Sequence, residues 1–239
     1  MDAPFLGTKV LKSVGLDEVE ALLDKEALFA ARWQFRQGAA ASAWEDLKSS
    51  KVLPIYERTM SLVRSQSAIA PAIVYGYFKC ERIGNGLLVK GERRDFKFDF
   101  PRERETPNRC VADFFPGGFA AFQLVTIGGK VADIAASMFS KNKYSDVFYL
   151  KGLASEFTEA SAEYCHRLIR QELGAAESTG KRFSPGYPAF PSLLDQRKIY
   201  ELLGANRINV SITETCQLVP EHSTSAIVSI DEKAMLFRP

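Results

Sequence analysis

The first seventy residues carry apolar positions at the three- and four-residue spacing of amphipathic helices. Such faces occur over Leu16–Leu23 and Leu28–Phe35. A third face, Leu53–Val63, begins beside Pro54, a residue favoured in the first turn of a helix. The sequence therefore predicts that the N-terminal part, residues 1–70, is helical.

Beyond residue 71 the pattern changes to β-branched and aromatic residues with short alternating runs, which is typical of strands. The predicted strands are Ala72–Cys80, Leu87–Val89, Phe96–Phe100, Val111–Phe115, Phe119–Ile127, Ile208–Ile212 and Ser225–Ile230. Asn85-Gly86 predicts a hairpin turn, because both residues tolerate positive φ. Pro116-Gly117-Gly118 predicts a second turn between strands.

A long helix interrupts these strands. Its apolar stripe comprises Leu153, Phe157, Ala160, Tyr164 and Leu168. A second, polar stripe comprises Glu156, Glu159, Glu163, His166 and Arg170, and Gly174 ends the helix. Ala175–Pro191 is predicted to be a loop, and Ile199–Leu203 a short helix.

The irregular mixture of helices and strands favours the α+β class over a regular βαβ array. We expect one domain over residues 1–239, with the sheet in residues 71–239. The 239 residues are enough to bury a sizeable core.

Composition narrows the functional classes. The formal net charge is only +2, so nucleic acid and anionic membranes are not indicated as partners. We find no apolar run long enough for a transmembrane helix and no signal peptide. The four cysteines are widely separated, which argues against a disulfide framework or a zinc site. Cytoplasmic residence is the default expectation.

The segment Arg182–Pro191 is the first candidate for a ligand site. Three prolines and a glycine impose an extended path whose backbone amides and carbonyls no regular ladder can use. Those groups could recognise an adenine or a sugar, and Arg182 could hold a carboxylate. On composition alone, a stiff surface connection is the simpler interpretation.

The polar stripe of the long helix is the second candidate. Glu159 and Glu163 lie one turn apart and could stabilise a bound sulfonium or ammonium. The alternative is a solvated face on which Glu163 and Arg170 have little coupling.

Two further segments have open interpretations. Asp24 could contact a ligand or cap the following helix, and Trp33 could be a stacking platform or part of the core. The charged segment Pro101–Asp113 could meet phosphate or propionamide groups, or form an exposed ion-paired connection.

Four segments occur in an order that resembles the reactivation domain of cobalamin-dependent methionine synthase. The resemblance covers roughly Lys9 to Ser229, and its most specific part is the Pro-Gly-Tyr-Pro-Ala core of the last segment. The segments are Asp24-x-x-x-Leu28-Phe29 with Trp33-Gln34, Arg104-x-x-Pro107-Asn108-x-Cys110-Val111-Ala112-Asp113-Phe114, Leu153–His166, and Arg182-x-x-x-Gly186-Tyr187-Pro188-Ala189-x-Pro191.

The resemblance implies a C-shaped α+β domain with a central twisted antiparallel sheet flanked by helices. It implies a methyltransferase component that offers S-adenosylmethionine to inactivated cob(II)alamin. It also implies a cobalamin-binding methionine synthase or other corrinoid protein as partner, with flavodoxin or another reductant as electron donor. The S-adenosylmethionine-binding positions that it implies are Asp24, Glu159, Arg182, Gly186, Tyr187 and Ala189. No catalytic residue and no metal ligand is expected in the chain.

The chain also departs from the family pattern. Lys233-Ala234-Met235-Leu236 stands where the family has a tyrosine pair, Phe190 stands where it has a cysteine, and the sequence ends at Pro239. Neither His166 nor His222 has the setting of a cobalt ligand, so cobalamin must be carried by a partner. We expect a free-standing reactivation module. The alternative is a docking or chaperone subunit of a corrinoid protein that has lost S-adenosylmethionine binding.

Overall fold

The computed structural model describes residues 2–35, 41–104 and 107–237. The strands are β1 Gly7–Leu11, β2 Ala72–Ile83, β3 Gly86–Lys90, β4 Asp95–Asp99, β5 Phe119–Thr126, β6 Lys181–Phe183, β7 Ser211–Ile212, β8 Leu218–Val219 and β9 Ser223–Ser229. The α-helices are α1 Leu16–Glu20, α2 Lys25–Ala27, α3 Ala41–Leu47, α4 Leu53–Ser65, α5 Lys130–Phe139, α6 Tyr144–Glu172 and α7 Asp195–Leu203. Short π-helical turns lie at Leu28–Arg32 and Lys48–Val52, and 3-10 turns at Val111–Phe114 and Ala205–Ile208.

An antiparallel sheet forms the centre of the domain. Within the described ranges it contains seven strands in the order β4-β3-β2-β5-β9-β6, with β1 paired to β2 off this path. The small pair β7 and β8 forms a separate antiparallel ribbon. Helices flank the sheet, so the predicted α+β class and single-domain architecture are confirmed.

Two apolar cores form, one on each face of the sheet. α6 packs on β5 and β9, and Leu153 and Phe157 are completely buried there. Tyr164 and Leu168, the last members of the same stripe, are only partly buried at the edge of this core. The opposite core contains Phe98, α7 and the 3-10 turn Val111–Phe114. The predicted apolar face of α6 is therefore confirmed for Leu153, Phe157 and Ala160, and toward the end of the helix Cys165 and Ile169 take over the core positions.

Residues 1–70 are not wholly helical, so that prediction needs correction. β1 lies in this part and pairs with the first half of β2. The two backbones approach closely at Gly76, where an added Cβ would lie 2.0 Å from the carbonyl oxygen of Gly7. A five-residue strand of this kind gains its hydrogen bonds from a distant partner, and its own sequence is a weak signal.

The prediction of a strand at Val111–Phe115 is wrong, because Val111–Phe114 forms a 3-10 turn. Asp113 Oδ2 accepts a hydrogen bond from the Cys110 backbone N–H at 2.8 Å and another from Arg102 Nη1 at 2.8 Å. Such local side-chain bonds give the backbone an alternative to a ladder and outweigh the β-propensity of the segment. The interpretation of Pro101–Asp113 as an ion-paired connection is confirmed, because Arg102 pairs with Asp113 and Arg109 pairs with Glu103. Residues 105–106 of this segment lie outside the described part.

The β2–β3 hairpin turns one residue earlier than predicted. Ile83 pairs with Gly86, so the turn residues are Gly84 and Asn85 rather than Asn85 and Gly86. Gly84 has a φ of 60°, and positive φ at the first central residue is typical of a type II′ turn.

Several elements differ from the predictions in extent. α6 begins at Tyr144, well before the first residue of the predicted stripe, Leu153, and it ends near Gly174, whose φ is 63°. The predicted loop Ala175–Pro191 contains β6, and only Ser211–Ile212 of the predicted strand Ile208–Ile212 is extended. Helices α3 and α5 were not predicted.

Candidate functional site

A surface cavity of about 540 Å³ lies at the edge of the sheet, beside α6 and β6. This volume is in the usual range for a small-molecule site. The residues that line it are Glu159, Glu163, His166, Arg170, Gly180, Lys181, Arg182, Phe183, Ser184, Tyr187, Pro188, Ala189, Phe190, Leu236 and Phe237.

Arg182 reaches the cavity because of strand alternation. It pairs with Val228 across β6 and β9, and the next residue, Phe183, is buried in the opposite core. The guanidinium therefore points toward α6. Its Nη1 donates a hydrogen bond to Glu163 Oε2, and its Nη2 lies 3.6 Å from Glu159 Oε2.

Glu163 is the centre of a charged network. Arg170 Nη1 donates to Glu163 Oε1 at 2.8 Å, and His166 Nδ1 lies 3.7 Å from Oε2. Arg170 also donates from Nε to the Thr179 carbonyl at 2.7 Å. The alternative in which Glu163 and Arg170 are scarcely coupled on a solvated face is therefore wrong.

The environment of this network shifts the pKa values of Glu163 and His166. Burial by itself would raise the pKa of Glu163, but the polar contact with His166, the hydrogen bond from Arg170 and the charge of Arg182 outweigh it and hold the pKa far below its usual range. Burial lowers the pKa of His166, more than Glu163 raises it, so the imidazole is neutral near neutral pH. Within the part of the chain that the structure describes, His166 Nε2 has no hydrogen-bond partner.

The low pKa of Glu163 leads to a prediction about acid stability. The folded-state pKa is below the unfolded value of about 4.5, so this carboxylate stabilises the fold fully above that pH and progressively less as the pH falls. We expect the free energy of unfolding to decrease below about pH 4.5, and Glu163→Gln to make that decrease shallower. Denaturant unfolding between pH 3 and 7 measures both slopes. Some slope should remain in the variant, because the pKa of Glu172 is lowered as well; equal slopes would contradict the prediction.

The loop after β6 uses part of its own backbone. Gly186 N–H donates to the Phe190 carbonyl at 2.8 Å, and Phe190 N–H donates to the Tyr187 carbonyl at 2.9 Å. Gly186 has a φ of 90°, which favours glycine, and Phe190 is buried with its ring 4.9 Å from that of Phe100. The expectation that the extended path leaves its backbone groups free is therefore only partly correct. The resulting turn holds Ala189 in the cavity wall and the exposed ring of Tyr187 at its mouth.

Asp24 lies apart from the cavity lining. Its Oδ1 accepts a hydrogen bond from the Ala27 N–H at 2.8 Å, so it caps α2 as the simpler interpretation proposed. Burial raises the pKa of nearby Glu156, Arg32 opposes that shift, and the charge of Asp24 adds to it. Trp33 is buried, which confirms its interpretation as a core residue.

The predicted ligand residues therefore divide into three groups. Glu159, Arg182, Tyr187 and Ala189 line the cavity, Gly186 forms the turn beside it, and Asp24 is not among the lining residues. Sequence reasoning missed Phe237, and it placed Glu163, His166 and Arg170 in a candidate polar stripe without including them among the S-adenosylmethionine-binding positions. Their helical phase with Glu159 was the available signal.

The C-terminal segment forms an apolar wall. Exposed Leu236 and buried Phe237 both line the cavity, and the Phe237 ring lies 6.4 Å from that of Phe114. Leu236 belongs to the stretch that stands where the family has a tyrosine pair, and Phe237 follows it directly. Apolar contact at this position can hold a ring or a methylene chain but offers no hydroxyl group.

Over residues 2–35, 41–104 and 107–237, no cluster of three or more histidine, cysteine, aspartate or glutamate side chains is placed to hold a metal ion. None of the helices described is long and apolar enough to cross a membrane.

The chain is thus an α+β domain whose sheet edge bears an arginine- and glutamate-lined surface cavity. The family model for the activation domain of vitamin B12 dependent methionine synthase matches residues 15–238. This chain belongs to that family.

Similar proteins agree with this assignment. Methionine synthase of Mycobacterium tuberculosis (strain ATCC 25618 / H37Rv) is 34% identical over 271 aligned positions, which cover 98% of this chain and 23% of that protein. Methionine synthase of Mycobacterium leprae (strain TN) is 34% identical, covering 94% of this chain and 22% of its own length. The chain thus spans less than a quarter of these relatives. The crystal structure of the MetH reactivation domain bound to AdoHcy has a TM-score of 0.84 at 20% identity, covering 99% of this chain and 82% of that one.

Proposed function

We propose that this chain binds S-adenosylmethionine in the cavity and supports the reductive remethylation of cob(II)alamin on a partner methionine synthase or other corrinoid protein. The observation that supports it most is Arg182, held between Glu159 and Glu163 beside the Gly186–Phe190 turn. The similar MetH domain is described with AdoHcy, the demethylated form of this ligand.

The chemistry of the cavity suits the parts of the ligand. Arg182 is the candidate for the methionine carboxylate, because a guanidinium can donate two parallel hydrogen bonds. Glu159 and Asp24 are both candidates for the ammonium, and of the two, Glu159 lines the cavity. The turn with Gly186, Tyr187 and Ala189 is the candidate for the adenosine, and the wall of Leu236 and Phe237 can add apolar contact.

Methyl transfer from a sulfonium to a cobalt nucleophile requires chiefly that the two be held in line. The protein need supply no acid or base for that step. Cobalt carried by a partner can reach the methyl group only through an open site, and this cavity lies on the surface. Flavodoxin or another reductant would supply the electron. Because the partner must leave for its own cycle, the docking interface should be modest and transient.

Two measurements test the proposal. Calorimetric titration with S-adenosylmethionine should give saturable heat. In a mixture of the chain, S-adenosylmethionine, a reductant and a cob(II)alamin-loaded corrinoid protein, the visible spectrum should change to that of methylcobalamin. The same rate without the chain would reject the reactivation role, and equal rates with free cobalamin would reject docking.

A docking or chaperone subunit is the second candidate. The apolar Leu236 and Phe237 at the wall favour it, because they offer no hydroxyl group to a ligand. This candidate requires that the chain bind a corrinoid protein yet give no heat with S-adenosylmethionine. The calorimetric titration therefore separates the two functions directly.

A further inference from the structure

We propose that Glu163 is a positioning residue that fixes Arg182 for the ligand carboxylate, whereas Glu159 is an exchangeable partner that the ligand displaces. The inference rests on the proposed function and assigns different roles to two carboxylates that meet the same guanidinium. Their contacts, burial and neighbours differ in the way that these roles require.

Glu163 is anchored from two sides. One oxygen accepts from Arg182 Nη1, and the other accepts from Arg170 Nη1 at 2.8 Å. The Arg170 side chain is only 9% exposed and is itself tied to the Thr179 carbonyl, in the segment that leads into β6. Arg170 and the segment before β6 therefore hold Glu163 in place. Glu163 in turn holds Arg182 in place.

Glu159 has a weaker hold on the same guanidinium. Its carboxylate lies 3.6 Å from Arg182 Nη2, outside ordinary hydrogen-bond distance, and its side chain is 44% exposed. A ligand carboxylate can take its place at Nη2 without moving Glu163. Glu159 is then free to meet the ammonium of the same ligand, so the exchange conserves charge around Arg182.

The surrounding charge permits an additional carboxylate. Arg167, Arg170 and Arg182 all lie within 4 Å of Glu163, so its single negative charge faces three cations. A guanidinium already held in place also loses less conformational freedom on binding than a flexible side chain does. Removing Glu163 should therefore weaken the recognition of the carboxylate specifically.

The test compares two thioether ligands. S-adenosylhomocysteine and 5′-methylthioadenosine share the nucleoside, and only the first carries the amino-acid carboxylate. For Glu163→Gln we expect about tenfold weaker binding of S-adenosylhomocysteine, equal to ~1.4 kcal/mol, and less than a twofold change for 5′-methylthioadenosine. Glu172→Gln is the matched control on the same helix, since Glu172 accepts hydrogen bonds from Lys9, Tyr75 and Tyr77 away from the cavity. It should change neither affinity.

Each outcome decides between roles. Unchanged affinity for S-adenosylhomocysteine in Glu163→Gln, or an equal loss for both ligands, would overturn the inference. Arginine side-chain NMR of the ligand-free proteins gives a second measurement: the Arg182 Nε–H signal should be sharp in the wild type and averaged in the variant. If the wild type binds neither ligand, the proposed function fails, and this signal alone still decides whether Glu163 fixes Arg182.

Discussion

Arg182→Ala is expected to weaken the binding of S-adenosylmethionine by ~1.5–3 kcal/mol, the range for hydrogen bonds to charged groups. This corresponds to roughly a 10- to 150-fold increase in Kd. The loss arises because no other guanidinium of the cavity is in an equivalent position. Arg170 already donates to Glu163 and to the Thr179 carbonyl. Isothermal titration of the two proteins measures the change.

The same variant should remain folded, which makes the measurement interpretable. Glu163 keeps its hydrogen bond from Arg170, and Glu159, which loses its contact with Arg182, is 44% exposed to solvent, so the substitution leaves no buried carboxylate without a partner. Arg94→Ala is the matched control, because Arg94 forms an ion pair with Glu201 at the surface, outside the cavity lining. Equal affinities for wild type and Arg182→Ala would remove Arg182 from the site.

Arg182→Lys refines the expectation. Lysine keeps the charge but has one nitrogen, so it cannot contact Glu163 and a ligand carboxylate in the same planar geometry. An affinity between those of the wild type and the alanine variant would indicate that both charge and geometry contribute. Full retention of affinity would mean that charge alone is recognised.

The sequence predicted best those elements whose pattern is long and local. The apolar stripe of α6 spans four turns, and the alternation of Phe96, Phe98 and Phe100 identifies β4, so each element is specified many times over. The irregular order of the elements then favoured the α+β class, and the resemblance added the central antiparallel sheet flanked by helices. Boundaries were less accurate: Gly174 correctly predicts the end of α6, but its start at Tyr144 was missed, because no side chain caps the helix at Lys143.

The elements that the sequence missed depend on distant partners. β1 and β6 have five and three residues, and each exists because a longer strand, β2 or β9, offers it hydrogen bonds. The incorrect strand at Val111–Phe115 has the opposite cause. There, a short-range bond between Asp113 and the Cys110 N–H overrides a β-prone composition.

The site residues divide in the same way, into features that a local pattern predicts and features that depend on distant parts of the chain. Helical phase places Glu159 and Glu163 one turn apart, and both lie on the cavity as that phase implies. The coupling of Glu163 to Arg170 and Arg182 could not be read from α6, because it requires β6 to lie at the edge of β9. Asp24 shows why a matching motif does not by itself fix a role: its side chain caps a helix here, and its contact with a ligand stays a prediction.

The largest expected loss of stability comes from Phe157→Ala. Phe157 is completely buried in the core between α6 and the sheet, and removing a buried phenylalanine side chain costs about 3–5 kcal/mol. For a domain of this size, that loss lowers the Tm by roughly 6–20 °C. Calorimetric or circular-dichroism melting measures the shift.

A control variant on the same helix and a measurement of ligand affinity make this prediction specific to the packing of α6 on the sheet. Phe148→Ala removes the same atoms from the same helix, but Phe148 is 40% exposed, so we expect a loss below ~1 kcal/mol. Glu159 is two positions from Phe157, on a different face of the helix. The folded fraction of Phe157→Ala should therefore keep wild-type affinity for S-adenosylmethionine at a temperature well below its Tm. Similar Tm losses for the two phenylalanine variants would contradict the burial argument. A loss of affinity in folded Phe157→Ala would show instead that the packing of α6 on the sheet sets the geometry of the cavity.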